Sequence, residues 1–370
     1  MYTIPSWLQM IPAIPVSASD RKEERLACLH LQDWRSIVKR IMMLYMIAVL
    51  LISGTVGYAQ CVSMDSAFYA HEQLMEDAQA LCAQYANFVE LERIGVSADQ
   101  REIIALRIGN RAAEHRFVVQ AAIHGREYIN SLIAMLQAEN LLEELQAGKL
   151  NLDQNAFCIY IVPMMNPDGV SLSQFGIEAI RDDDLKKALR QICSRESQTD
   201  DYWKKWKANA EGVDLNRNFP QFWQEYIGNA APSSEKYKGQ APVCAPETQA
   251  ILALIEKVDP DCVISYHSAG NCVYWEYGCS GDTWQKNAEL ALTASIVTGY
   301  PMQSCYANGQ DAAGCSDYMV LTQNRAAITI ENGSGACPLE DGAIASIWRA
   351  NRYLLPALIR HYTAETYSDT

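Results

Sequence analysis

The sequence has 370 residues, of which 49% are hydrophobic, and a formal net charge of −14. A chain of this length can bury a large core, and α/β enzymes of up to about 300 residues commonly form a single domain. The negative charge argues against nucleic acid as a partner, because phosphate binding needs clustered Lys and Arg side chains.

The N-terminal segment has the pattern of a targeting signal. A basic pair precedes the apolar run 41–52, and small residues follow it up to Ala59. This order is typical of a secretory signal peptide, and the run is short for a membrane span of about 20 residues. We expect an exported protein with no stable membrane span, although a retained anchor is the alternative. The expected divisions are a misassigned or disordered extension, a signal peptide and a folded domain, at residues 1–37, 38–59 and 60–370.

Twelve cysteines suit an exported protein, in which disulfide bonds are permitted. Cys28 would leave with the leader, so that at least one of the remaining eleven is free or pairs between chains. Two pairs are close enough in sequence for local bridges, Cys272 with Cys279 and Cys305 with Cys315. No Cys-x-x-Cys occurs, so we do not expect a thiolate zinc site.

Hydrophobic spacing predicts alternating helices and strands in the first half of the mature chain. Apolar residues recur at helical spacing in two segments, whereas short apolar runs indicate strands. The predicted elements are a helix within 64–92, strands at 101–109 and 116–123, a helix at 129–145 and a strand at 157–163. Asn166-Pro167-Asp168-Gly169 follows and is predicted to be a turn, because Pro and Gly suit turn geometry.

The second half continues the alternation after a charged segment that we expect to be a solvated insertion, 182–207. A helix is predicted at 245–258, short strands at 262–266 and 326–330, and a last helix at 344–362. This order predicts a single α/β domain with a central mixed, mostly parallel, twisted sheet flanked by helices on both faces. Ligands of such sheets bind at the ends of the strands.

Three predicted strands end on residues that can bind or assist a metal ion. His124 and Glu127 follow one strand, His267 ends the next, and Glu331 ends a third. A catalytic zinc site uses three nitrogen or oxygen ligands and leaves a fourth position to water. His-x-x-Glu alone is a weak signal, since a His at a strand end is often structural. The convergence of three strand ends favours a metal site.

The ordered motifs resemble those of the zinc carboxypeptidase family of the pancreatic carboxypeptidase type. The resemblance runs from about Tyr85 to the C-terminus and rests on His124-x-x-Glu127, Asn166-Pro167-Asp168-Gly169, Gly212-Val213-Asp214-Leu215-Asn216-Arg217-Asn218, Tyr266-His267-Ser268 and Thr329-Ile330-Glu331. Two further stretches are similar to a bacterial branch that cuts γ-D-glutamyl-diaminopimelate bonds in peptidoglycan stem peptides. They are Trp206-Lys207-Ala208-Asn209 and Tyr266-His267-Ser268-Ala269-Gly270-Asn271 with the following Tyr274-Trp275.

The resemblance implies one zinc ion held by three ligands, His124, Glu127 and His267. Asp214 would orient the His124 ring, as metal-bound imidazoles commonly require, although an Asp that caps a loop is the alternative. Glu331 would take a proton from the zinc-bound water and pass it to the leaving amine. The alternative for Glu331 is a surface residue at a strand end.

Four further residues have roles implied by the family. Arg217, helped by Asn216, would clamp the terminal carboxylate of the substrate, because a guanidinium group suits a planar bidentate partner. Arg126 would lie along the substrate path. Lys207 stands where the family has an arginine that stabilises the oxyanion, so the charge is kept but the two-pronged geometry is not.

The family also has a tyrosine that closes over the substrate. The segment ahead of Glu331 differs from the family pattern, so the position is less well defined. Tyr306 is the candidate and Tyr300 is the rival.

Together these features predict an exported zinc metallopeptidase that hydrolyses the γ-D-glutamyl-diaminopimelate bond of stem peptides in the cell wall. A general secreted carboxypeptidase acting on L-peptides would have the same ligands and base but a different specificity pocket. A non-catalytic wall-binding module is the more distant alternative, since such proteins usually lose a ligand or the base.

Overall fold

The computed structural model describes residues 60–149, 153–196, 199–305 and 313–365. The expected extension, the expected signal peptide and Tyr306 lie outside these residues. Among the helices in the described ranges, none combines the length and the apolar character needed to cross a membrane.

Within the described residues, eight strands form one mixed sheet. They are β1 (Val89–Val96), β2 (Glu102–Gly109), β3 (His115–Ala121), β4 (Phe157–Val162), β5 (Cys262–His267), β6 (Cys272–Tyr274), β7 (Met302–Gln303) and β8 (Ala326–Glu331). Their order in space is β1-β2-β4-β3-β5-β8-β6-β7. The central strands β4, β3, β5 and β8 are parallel, whereas β1 and β2 pair antiparallel, as do β2 and β4, and β8 and β6.

Nine α-helices are found in the described residues. They are α1 (His71–Gln84), α2 (Ile129–Gln146), α3 (Pro167–Phe175), α4 (Asp183–Glu196), α5 (Pro246–Val258), α6 (Gly281–Thr298), α7 (Cys315–Leu321), α8 (Ile344–Asn351) and α9 (Leu354–Glu365).

The two faces of the sheet bury alternate side chains of the strands. Phe117 and Val119 of β3 pack into an apolar layer with α1, α2, α6, α8 and α9. Val118, between them in sequence, packs into the opposite layer with α5 and α7. Successive side chains of a strand point to opposite faces, so a strand that is apolar throughout is buried on both sides. The predicted α/β fold, with helices on both faces of a mixed sheet, is confirmed.

The parallel arrangement brings three strand ends to one edge of the sheet. Ala121 of β3 is level with Tyr266 of β5, and His267 is level with Glu331 of β8. The loop after β3 therefore starts beside the last residues of β5 and β8, and this edge carries the candidate site.

The N-terminal region differs from the predicted long helix. Helix α1 ends at Gln84, and the chain then forms the edge strand β1. Phe68 and Phe88, which fitted the helical spacing, lie outside α1. Strand β1 pairs with β2 at the edge of the sheet. The spacing of apolar residues did not distinguish this strand from a continuation of the helix.

Two other predictions differ in detail. The charged segment 182–207 was predicted to be a solvated insertion, yet α4 packs Leu189 and Ile192 into a small apolar cluster with the fully buried Trp206. The predicted last helix is divided into α8 and α9. Pro356 explains this break, because proline lacks an amide donor and clashes with the carbonyl four residues earlier.

Candidate zinc centre and active site

Three side chains converge on one point at the edge of the sheet. His124 Nδ1 lies 2.9 Å from Glu127 Oε1, and His267 Nδ1 lies 3.1 Å from Glu127 Oε2. One ligand atom from each of the three residues lies within 4.8 Å of the other two. All three side chains are buried, with 3–4% of each residue exposed. This set contains the three predicted ligands.

Two glycines allow the loop after β3 to form this site. A Cβ atom on Gly125 would lie only 2.3 Å from the carbonyl oxygen of Gly169. The Gly125 amide instead donates to the carbonyl of Lys207 at 3.0 Å. Any larger residue at position 125 would therefore push the His124 loop away from the start of α3.

Asn166 ties the same loop to its surroundings. Its side-chain amide donates to the carbonyls of Ile123 and Ala208, each at 3.1 Å. Its side-chain oxygen accepts from the Gly169 amide at 2.9 Å and caps α3. The predicted turn is thus the first turn of a helix, because Pro167 suits the first helical position and Asn166 the cap.

Asp214 lies behind His124, as predicted. Its Oδ1 is 3.3 Å from His124 Nε2, and neither atom has a hydrogen-bond partner among the described residues. Its Oδ2 accepts from the Lys236 amide at 3.0 Å. Burial would raise the pKa of Asp214, but the charges of Lys207 and His124 outweigh it and hold that pKa well below its usual range.

The donor set fits a zinc ion. A proton on His124 Nε2, facing Asp214, would leave Nδ1 free to bind a metal ion. Burial would raise the pKa of Glu127, but the His124 and His267 rings outweigh it and hold that pKa well below its usual range. Two imidazole nitrogens and an ionised carboxylate are the ligands of a catalytic zinc site.

Glu331 and the three ligands line the same cavity of about 430 Å³. Loss of solvent contact raises the pKa of Glu331 to about 7, with a further contribution from Glu127, although His267 and Lys207 oppose the shift. A carboxyl group that titrates near neutral pH and faces a cavity can both accept and return a proton.

Asn216 and Arg217 line this cavity as well. The Arg217 guanidinium lies over the Tyr226 ring, 5.2 Å from its centre, and donates to the carbonyl of Asn216 at 2.8 Å. The Asn216 side chain accepts from the Cys315 amide at 3.1 Å. These contacts fix both side chains in place before a substrate arrives.

The other two predicted cationic residues also reach the cavity. Lys207 Nζ lies 4.0 Å from Asp214 Oδ2, and Arg126 lies 3.3 Å from a carboxylate oxygen of Glu235. Of the two candidate tyrosines, Tyr306 is outside the described residues. Tyr300 is a buried member of the core and does not line the cavity.

Several residues of the cavity were missed by sequence reasoning. Ser316, Asp317, Thr329 and Tyr277 line it on the side of β8 and α7. The Tyr277 hydroxyl donates to Thr329 Oγ1 at 2.8 Å, and Ser316 Oγ is 3.0 Å from the same oxygen. Helix α7 was not among the elements predicted from hydrophobic spacing. The positions of its side chains in the cavity were therefore not predicted either.

The sequence expectation of local disulfides is not met in the described residues. Cys272, Cys279 and Cys315 are thiols, so neither the 272–279 bridge nor the 305–315 bridge is formed. The group of possible metal ligands found in the described residues consists of two histidines and one glutamate.

A mixed α/β sheet with two imidazoles and a carboxylate at the ends of its central strands defines a zinc metallopeptidase. Residues 74–354 match the zinc carboxypeptidase (peptidase M14) family, which covers most of the chain. The chain therefore belongs to this family, and its cofactor is zinc.

Two curated relatives match most of the chain. The γ-D-glutamyl-L-diamino acid endopeptidase 1 of Lysinibacillus sphaericus is 30% identical over 295 residues, which cover 76% of this chain and 69% of the relative. The uncharacterized protein YqgT of Bacillus subtilis (strain 168) is 28% identical over 282 residues, which cover 72% of this chain and 71% of the relative.

Solved structures agree on the fold. Thrombin-activatable fibrinolysis inhibitor superposes with a TM-score of 0.65 at 18% identity, covering 84% of this chain and 79% of its own. Carboxypeptidase A from Helicoverpa armigera superposes with a TM-score of 0.60 at 17% identity, covering 89% and 82%. At this level of identity the likeness establishes the carboxypeptidase fold alone.

Proposed function

We propose that this protein is an exported zinc peptidase that hydrolyses the bond between γ-D-glutamate and diaminopimelate in peptidoglycan stem peptides. The observation that carries the proposal is a single cavity in which the zinc-binding group, Glu331, Arg217 and the carboxylate of Asp317 meet. The relative from Lysinibacillus sphaericus, by its name an endopeptidase for such bonds, supports the choice of substrate.

His124, Glu127 and His267 would hold the zinc ion, which would supply an activated water and polarise the substrate carbonyl. Glu331 removes a proton from the attacking water and delivers it to the leaving amine. Its pKa of about 7 suits both steps near neutral pH. Lys207 and Arg126 supply positive charge beside the carbonyl oxygen, where negative charge develops in the transition state.

The leaving group binds on the side of Arg217. Arg217 and Asn216 bind the terminal carboxylate of diaminopimelate through charge-assisted hydrogen bonds. The side chain of diaminopimelate ends in a second carboxylate and an amine. The polar wall formed by Ser316, Asp317 and Thr329 offers hydroxyl groups to the carboxylate and a negative charge to the amine.

The test compares L-Ala-γ-D-Glu-diaminopimelate with a standard C-terminal L-peptide, each digested by the wild type and by Glu331→Gln. Zinc-dependent release of diaminopimelate by the wild type alone is the expected result. Cleavage of the L-peptide alone would keep the chemistry and make the protein a general carboxypeptidase. If neither peptide is cleaved while zinc is bound, the protein is a wall-binding module rather than an enzyme.

Export forms a separate part of the proposal and rests on the basic pair and apolar run that precede residue 60. We expect the mature N-terminus to lie near Gln60. N-terminal sequencing of the protein recovered from outside the cell checks this. A peptide from residues 38–59 in the recovered protein would contradict cleavage before Gln60.

A further inference from the structure

A second cavity of about 420 Å³ opens beside the zinc site, and the proposed reaction does not use it. Its wall includes aromatic, aliphatic and polar side chains from five parts of the chain. Among them are Phe68, Tyr128, Ser173, Lys204, Leu339 and Asp341.

Three chain segments connect this cavity to the catalytic one. Glu127 lines the catalytic cavity, and the next residue, Tyr128, lines the second. Lys207 lines the first and Lys204 the second, while the Arg126 side chain donates to the carbonyl between them, that of Lys205, at 3.2 Å. Neighbouring segments of the chain therefore line the two cavities, although no described residue lines both.

The third connection follows β8. Glu331 faces the catalytic cavity, and Pro338 and Leu339, a few residues later, line the second cavity. Arg217, which would hold the C-terminal end of the substrate, lines only the catalytic cavity. A substrate held by Arg217 with its scissile carbonyl near Glu331 would extend its N-terminal, acyl side toward the second cavity.

An aromatic cluster stands at the rim of the second cavity. Phe68 is 53% exposed and Phe175 is 54% exposed, which is unusual for large apolar side chains. The Phe68 ring lies 5.5 Å from Tyr128 and 6.4 Å from Phe175, measured between ring centres. Exposed aromatic side chains that lie together beside a cavity are typical of a ligand-binding surface.

The polar groups of the second cavity carry mixed charge. Lys204 is positive, whereas Glu340 and Asp341 are negative, so the cavity does not select a strongly charged group. The Asp341 carboxylate accepts from the Ala67 amide at 2.7 Å, which holds the segment that carries Phe68 against the loop after β8. Flat aromatic rings combined with such polar groups suit a neutral ligand that has apolar C–H faces and hydroxyl groups.

We propose that the second cavity binds the amino-sugar end of a stem peptide that is still attached to glycan, with the pyranose ring stacked on Phe68. This inference rests on the proposed function, because in peptidoglycan the N-terminus of the stem peptide is joined to N-acetylmuramic acid. The protein would then act on muropeptides in preference to free peptides.

The experiment measures kcat/KM for N-acetylmuramyl-L-Ala-γ-D-Glu-diaminopimelate and for the same tripeptide without the sugar. In the wild type we expect the muramyl substrate to react about fivefold to tenfold faster, the range expected of one aromatic stacking contact. Phe68→Ser should bring this ratio close to one and leave the rate on the free tripeptide unchanged, whereas Phe68→Tyr should preserve the ratio.

Ile296→Ser is the matched control, because Ile296 is also an exposed hydrophobic residue, at 73%, but lies on α6. A ratio near one in the wild type, or an equal loss on both substrates in Phe68→Ser at an unchanged melting temperature, would overturn the inference. A tripeptide extended by two glycines in place of the sugar, if equally favoured, would also overturn it by showing a peptide subsite. Failure to cleave either diaminopimelate substrate would instead refute the proposed function.

Discussion

Glu331 and Glu247 are two carboxyl groups with raised pKa values, and their surroundings give them different roles. Loss of solvent contact raises the pKa of Glu331 to about 7 and that of Glu247 to about 8. Glu331 faces the catalytic cavity beside the zinc ligands. Glu247 is completely buried at the start of α5, where Asn209 donates to it at 3.0 Å. A perturbed pKa thus identifies an active site only together with an open cavity and reactive neighbours.

The same contrast holds between the two buried charge clusters near these residues. Asp168 accepts hydrogen bonds from Ser97, from the Asp99 amide and from Arg101, so that donors of the chain itself surround its carboxylate. The zinc centre instead points two imidazole nitrogens at one carboxylate. Two imidazoles and a carboxylate around one point are the ligands of a catalytic zinc ion, whereas the Asp168 carboxylate faces donors of the chain itself.

Replacing each glutamate by glutamine tests the first contrast and should produce the largest effect. Glu331→Gln cannot take up a proton, so we expect kcat/KM to fall by about 10²- to 10⁴-fold, as for other general bases. Glu247→Gln should change kcat/KM less than about threefold, because a neutral amide resembles the protonated acid. Zinc content, measured by atomic emission, should be the same in both. Comparable losses of kcat/KM in the two variants would contradict the different roles given to Glu331 and Glu247.

A smaller effect is expected from changing one carboxylate in each cluster. Asp214→Asn should weaken zinc binding by about 10- to 100-fold, the usual cost of losing a residue that orients a metal-bound histidine. Asp168→Asn should leave zinc affinity unchanged and lower the melting temperature, since it weakens a buried pair with Arg101. Competition with a chelator gives the affinities, and calorimetry gives the melting temperatures. Equal zinc affinity in Asp214→Asn and the wild type would contradict the role of Asp214.

The sequence was sufficient to predict the residues of the site that lie at the ends of strands. His124, Glu127, His267 and Glu331 each follow a short apolar run, and parallel strands bring such ends to one edge of a sheet. The fold class followed from the same alternation. Residue roles beyond the zinc site remain predictions.

Residues placed by long-range contacts could not be predicted. Nothing local shows that Gly125 must pass against Gly169, or that Asp168 pairs with Arg101 across 67 residues of sequence. Phe68 looked like part of an amphipathic helix, and only the fold shows that it lies on the surface beside Tyr128. Hydrophobic periodicity and sequence motifs report local structure, whereas these contacts depend on how distant segments of the chain are brought together by the fold.

Glu247 should also make the free energy of unfolding depend on pH. Its pKa is about 8 in the folded protein against an ordinary value of 4.5, so between these values the folded state holds a proton that the unfolded state has released. Stability attributable to this group is therefore fully present below about pH 4.5 and is lost as pH rises, by at most about 1.4 kcal/mol per pH unit. Glu247→Gln has no such proton, so its free energy of unfolding should exceed that of the wild type increasingly from pH 5 to pH 8. Urea unfolding of both proteins across this range measures the difference, and two parallel curves would show that Glu247 is already ionised in the folded state.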